Sequence, residues 1–276
     1  MKNLLIAIVF VSGVTGVFAQ EAADKKIQAG LVLGYGLNFQ KLGTKYLQSN
    51  GVGGDMTIGA NLNFSFTETI GFSTGVEFDF ETLKYSAPAG DSVFYAYNAS
   101  DNNLIRIESD ADALALDGSE SYYMLSTRKQ KPLFITIPTM LMFRTKFIGY
   151  FRYFGKFGLR TSILVSNKFT DTGNNIDASD LSVVNTDDNK DMKAKNEMFP
   201  IKSAVGLSGG AEWNFTGSTV LMAEIGYYYG FTPLYNKRTY MVNAGGPNNT
   251  DPDGNSQYFA NKATQSQLMF KVSVLF

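Results

Sequence analysis

Ionisable residues recur at two- and four-residue intervals in this 276-residue chain, and their types limit the chemistry open to them. Glu77, Asp79 and Glu81 stand two apart, Arg152, Lys156 and Arg160 four apart, and Arg144, Lys202, Glu212, Glu224 and Lys271 recur in later blocks with the same parity logic. Carboxylates spaced by two share one face of an extended strand, where they can pair with cations or exchange protons. The chain contains no His and no Cys. Nucleophiles activated by histidine, thiolate sites and disulfides are therefore excluded, while carboxylate chemistry stays open to an enzyme.

Other motifs carry less. Leu207-Ser208-Gly209-Gly210-Ala211 is similar to the signature stretch of transport ATPases, but no G-x-x-x-x-G-K-[ST] loop accompanies it. Gly34-Tyr35-Gly36 lacks the third glycine and the helix of a dinucleotide site. Asp251 to Asn255 opens like a calcium loop without the acidic residue that should close it, and it reads as a turn. Asp187, Asp188 and Asp191 are interleaved with Lys190 and Lys193, a solvated loop pattern. The basic aromatic run from Arg144 to Lys156 has the composition of a stacking platform, yet its place at a short turn suits a membrane-interface girdle better. A formal net charge of -1 gives no support to a nucleic-acid partner.

The elements that must position the charges are strands. Thr264 to Phe276 alternates without a break: Leu268, Phe270, Val272, Val274 and Phe276 fall on one face, and Gln265, Gln267, Met269, Lys271 and Ser273 on the other. Seven earlier blocks behave in the same way: Ala29–Phe39, Met56–Phe66, Ile70–Leu83, Pro132–Thr145, Phe151–Ser166, Ile201–Phe215 and Thr219–Phe231. In most of them large apolar residues hold one parity, and Gly, Ser, Thr and the charged residues hold the other. Block four is less clean, because Phe134, Met140 and Met142 lie on the polar parity.

Short connections follow blocks two, four and six. Long polar ones follow one, three, five and seven: Gln40–Asp55, Lys84–Lys131, Asn167–Pro200 and Thr232–Ala263. Past the N-terminal segment no run of roughly 18 apolar residues exists, so a membrane crossing would be made by strands. The expected fold is an all-β, eight-stranded antiparallel up-and-down transmembrane barrel with short periplasmic turns and long extracellular loops. Lys2, the apolar Leu4–Val11 and Val17-Phe18-Ala19 read as a signal peptide over residues 1–19, followed by a leader 20–28 and the barrel 29–276. The address is the outer membrane, with outer-membrane lipid as the surrounding partner.

With this parity Glu77, Asp79, Glu81, Glu212 and Glu224 face inward with Arg144, Arg152, Lys156, Arg160, Lys202 and Lys271, nearly equal in sign. An eight-stranded barrel has room only for side chains, so the set reads as an ion-pair network filling the lumen. No metal or cofactor is implied. The leading function is a non-enzymatic scaffold or accessory subunit that works through its extracellular loops, two of them rich in Asp, Asn and Ser, or through its wall. A narrow small-solute pore is the alternative, and a membrane-embedded lipid enzyme or protease the third class.

Phe134-Ile135-Thr136-Ile137-Pro138, Gly206-Leu207-Ser208-Gly209-Gly210-Ala211-Glu212, Tyr227-Tyr228-Tyr229-Gly230-Phe231 and the terminal Phe276, together with the signal sequence, resemble the PorT-like outer-membrane β-barrel proteins of Gram-negative bacteria. The resemblance covers the strands and not the long loops. It implies an outer-membrane barrel, some relatives of which serve type IX secretion, and thus a secretion or envelope-complex partner; it implies no catalytic residue. Phe270, Val272, Val274 and Phe276 are also similar to the C-terminal signal by which such barrels engage the barrel-assembly machinery.

Overall fold

The computed structural model describes residues 25–88, 93–105, 120–177, 182–186, 188–193, 197–216, 219–236, 240–243 and 258–276. The expected signal sequence and the Asp251–Asn255 turn lie outside the described residues. Eight strands form the body: β1 Ile27–Leu42, β2 Gly53–Ser65, β3 Ile70–Glu81, β4 Ser121–Arg144, β5 Phe151–Ile176, β6 Ile201–Thr216, β7 Thr219–Gly230 and β8 Ala263–Leu275. Each pairs antiparallel with the next, and β8 returns to β1, with Gly34 opposite Lys271. The ring therefore has no free edge in its body, which is the condition for a sheet to sit in lipid.

Alternation decides which face each residue takes. Leu31, Leu33, Tyr35, Phe78, Phe143, Phe157, Leu207, Ile225 and Phe270 are exposed on the outside, whereas the charged parity is buried inside. An apolar wall around the whole ring is a membrane surface rather than a water surface. On β4 the outward series from Leu133 to Phe143 covers ten residue steps, about 25 Å along the barrel axis at ordinary strand rise and tilt. At the short-turn end Phe151 stacks on Trp213 and Trp213 meets Phe215 edge to face, with ring centroids 5.9 and 5.1 Å apart, as part of an interfacial aromatic belt. The turn between β4 and β5 is closed by Gly149, whose φ of +64° suits a residue without a Cβ.

The long connections depart from expectation. Their composition predicts polar loops, but β4 begins at Ser121 and β5 runs on to Ile176, so both strands extend well past the membrane. The chain leaving β3 climbs the free edge of β4: Leu83–Ser86 pairs with Thr127–Gln130, and Val93–Tyr97 with Ser121–Leu125. Tyr240–Asn243 and Tyr258–Ala260 add further strands beyond it, while Val183–Asn185 and Asn189–Met192 add to β5. Burial explains the difference. Leu83, Tyr85, Tyr95, Tyr123, Leu125 and Phe169 point into one apolar cluster, which composition averaged over a whole loop conceals. The first strand also opens at Ile27, two residues ahead of the expected Ala29.

Phe276 closes the ring through its backbone, its N–H donating to the Ala29 carbonyl at 2.8 Å, while its ring stays 51% exposed. Phe276→Ala keeps that hydrogen bond. It should lower stability in detergent by no more than about 1 kcal/mol, yet slow insertion in cells, with precursor accumulating in the periplasm. Pulse-chase kinetics and a detergent melt check the pair of outcomes; normal insertion with a large stability loss would reduce the residue to an interface anchor.

Candidate functional site

Strand register places the inward charges in tiers. Nearest the short turns, Glu212 lies directly opposite Arg152, which bonds it, and Arg144 Nε is 3.1 Å away on its other side. Met142, Phe154, Val220, Met222 and Leu275 form an apolar cluster at this end. Phe134, Met140 and Met142, the misfits of the fourth block, do point inward. In the next tier Lys156 Nζ meets Glu224 Oε2 at 2.7 Å and Lys271 Nζ meets Glu77 Oε1 at 2.6 Å. Arg160 Nη2 reaches Glu77 Oε2 at 2.8 Å and Asp79 Oδ2 at 3.0 Å, and Thr57 Oγ1 donates to Asp79 at 2.6 Å. Higher still, Lys202 pairs with Glu81 and stands 3.9 Å from the centre of the Phe134 ring.

Several of these bonds join strands that are not neighbours, and so they cross the lumen. Lys271 on β8 reaches Glu77 on β3, and Lys202 on β6 reaches Glu81 on β3. All eleven expected residues take part in at least one ion pair. A buried charge persists only with such partners, and a one-residue slip of any strand would turn its charges into lipid. Glycine makes the close packing possible at Gly206, where a Cβ would sit 2.1 Å from the Tyr228 ring that lies over Arg160. Beside Arg160 and Lys202 remains a cavity of about 20 Å³, room for roughly one water.

Asp55 is the lumen residue that strand reading missed. The alternation ends the first long connection at this residue, but β2 begins at Gly53 and turns it inward, 1% exposed. With it, the lumen holds six carboxylates (Asp55, Glu77, Asp79, Glu81, Glu212, Glu224) against six cations (Arg144, Arg152, Lys156, Arg160, Lys202, Lys271). Gln267 Nε2 ties Asp55 into the network, donating to its Oδ2 at 3.1 Å and to Glu81 Oε1 at 2.9 Å. Asp55, Asp79 and Glu81 bring carboxylate oxygens within 4.8 Å of one another. Asp79 and Glu81 are already engaged by Arg160 and Lys202, which leaves Asp55 Oδ1 as the unpartnered oxygen, too little for a divalent ion beside two cations.

Above Phe134 the extracellular extensions close over the barrel around Arg128, a residue the sequence did not single out. Its guanidinium grips Asp171 with two bonds of 2.7 Å and donates to Glu197 Oε1 at 2.9 Å. It lies 3.9 Å from the centre of the Phe169 ring and 5.1 Å from that of Tyr95. Tyr95 Oη donates to Asp171 at 2.6 Å and Tyr85 Oη to Glu197 at 3.3 Å. One cation between two carboxylates leaves an excess negative charge, and burial raises the Glu197 carboxyl above the ordinary range against the pull of Arg128. Residues from four of the chain's connections and strand extensions meet here: Leu47, Tyr85, Met198 and Tyr235 share the cluster.

Breaking either set should be costly in a different place. Glu224→Leu strands Lys156 inside the barrel and should lower the stability of the whole barrel by about 3–5 kcal/mol in chemical denaturation. An unchanged midpoint would show that the pair is solvated. Arg128→Met strands Asp171 and Glu197 and should cost about 3 kcal/mol or more, confined to the cap, with limited proteolysis newly cutting the outer halves of β4 and β5 while the barrel stays folded. Protection equal to the parent would contradict the role given to Arg128.

Residues 18–236 match the sequence profile of the outer membrane protein beta-barrel domain. No curated protein sequence matches the chain. Among solved structures, Ail, the attachment invasion locus protein of Yersinia pestis, is 11% identical over 91% of this chain and 100% of its own, with a TM-score of 0.31. OprG of Pseudomonas aeruginosa is 9% identical over 92% of this chain and 98% of its own, with a TM-score of 0.40. The outer membrane protease OmpT of Escherichia coli is 10% identical over 94% of this chain and 99% of its own, with a TM-score of 0.33. The profile match, over most of a chain that folds as a closed eight-stranded antiparallel ring with an apolar wall, makes this protein a member of the outer membrane protein beta-barrel domain family, resident in the outer membrane.

Proposed function

We propose that the protein is a non-enzymatic scaffold or accessory subunit, whose barrel anchors a folded extracellular cap for a partner in the envelope. One observation supports this reading above others: paired charges occupy the lumen between two apolar clusters, with Arg128 buried over its mouth, so that apolar side chains stand at both ends of any continuous polar path. A pore needs such a path. An enzyme needs reactive groups that substrate can reach, whereas the carboxylates here are buried and, Asp55 excepted, held by cations. The likeness to PorT-like barrels makes a secretion or other multi-protein envelope assembly the setting in which a rigid anchor of this kind would serve.

Purified protein in a planar bilayer should show no discrete conductance steps, and in mild detergent it should leave native outer membranes with a stoichiometric companion. Openings that disappear in Arg160 or Glu224 variants would replace the scaffold with a pore. Hydrolysis of lipid or peptide by the pure protein would replace it with an enzyme.

A further inference from the structure

Four lysines gather on the outer wall where β4 and β5 leave the membrane. Lys84 lies directly opposite Lys129, and Lys131 directly opposite Lys168. All four occupy the outward parity: their neighbours Leu83, Tyr85, Arg128, Gln130 and Phe169 are the ones that turn into the core. Lys129, Lys131 and Lys168 are exposed, Lys84 partly so, and none forms an ion pair with a side chain that the structure describes. Like charges directly opposed across a ladder are destabilising, so this arrangement works against the stability of the sheet.

Position gives the patch a ligand. Lys131 precedes Leu133 by two residues, and Lys168 follows Val165 by three, and both apolar residues belong to the lipid-facing series. Two strand residues rise about 7 Å, which sets Lys131 and Lys168 at headgroup level, with Lys84 and Lys129 one further step outward. The four lysines therefore cluster at a spot on the wall where the headgroup of an outer-leaflet lipid must rest. Groups of Lys at this depth attract anionic headgroups, and each phosphate oxygen offers the acceptor that an unpaired ammonium lacks.

We propose that Lys84, Lys129, Lys131 and Lys168 form a binding site for the phosphate of an anionic outer-leaflet lipid, which docks against the wall beneath the extracellular cap. Bound phosphate converts the two repulsive lysine pairs into bridged ones and ties the protruding outer halves of β4 and β5 to the membrane. The site lies outside the lumen and is independent of whatever partner the cap serves.

The test uses the full mature protein in phosphatidylcholine vesicles that contain a minority of phosphatidic acid as the phosphate-bearing probe. Native mass spectrometry after gentle extraction should show phosphatidic acid retained over phosphatidylcholine, and K84Q/K129Q/K131Q/K168Q should reduce that enrichment at least about tenfold. In pure phosphatidylcholine the quadruple variant should melt at or above the parent temperature, because the repulsion is gone. Phosphatidic acid should raise the melting temperature of the parent alone. The arginine series K84R/K129R/K131R/K168R should keep the enrichment. Equal retention of both lipids by the parent, or undiminished enrichment in the glutamine variant, would overturn the proposal. So would inorganic phosphate that stabilises the parent as much as the lipid does, since the site would then be one for a soluble anion.

Discussion

Charge buried without water must be matched by charge, and the barrel is arranged around that requirement. Arg160 binds both Glu77 and Asp79, and Glu77 is shared with Lys271 from the opposite wall. These contacts exist only if β3, β5 and β8 keep one register, and a slip of one residue in any of them would place that strand's charges in lipid. The outward face tells the strands which side meets lipid but is tolerant of register, since one aliphatic residue there resembles another. The inward face is selective. Ion pairs of this kind contribute little net stability compared with apolar packing, but they penalise any wrong arrangement heavily.

The same logic is repeated outside the membrane with different chemistry. There a single cation, Arg128, is enclosed by aromatic rings and shared by Asp171 and Glu197 from separate parts of the chain. Tyrosines rather than further charges complete its shell, because their hydroxyls satisfy carboxylate oxygens while their rings supply apolar area. Phe134 joins the two regions: it packs in the cap cluster and lies under Lys202 of the lumen. Lumen and cap thus meet at Phe134 and stack one above the other from the short turns to the extracellular end.

Much of this was legible in the sequence, and what was not has a physical cause. Period-two alternation located all eight strands and put the eleven lumen charges on the inner face, because a half-buried strand cannot hide its parity. The outer half of β5 was hidden by a bulge. Leu133 pairs with Ser166 while Phe134 pairs with Leu164, so Val165 is the extra residue and the inward parity switches from even to odd. Continued without the switch, the alternation turns Phe169 and Asp171 outward, where they look like loop residues. Arg128 was recoverable: Arg128, Gln130, Phe134, Thr136, Met140, Met142 and Arg144 keep one inward parity along β4. Only the polar composition around them argued against a strand. Glu197 carries no local signal, since it comes from a connection and meets Arg128 only in the folded cap.

Because the chain has no cysteine, a single introduced thiol reports on the lumen without background. Ser162 is buried beside Thr136 in the charged column, and Ser126 is exposed on the outside of β4. In intact protein the Ser162→Cys thiol should react with a small water-soluble methanethiosulfonate at least about a hundredfold more slowly than the Ser126→Cys thiol, since reagent reaches it only when the column opens. Comparable rates at the two positions would mean that water and solutes enter freely, and the filled, charge-matched lumen from which the scaffold reading follows would be wrong.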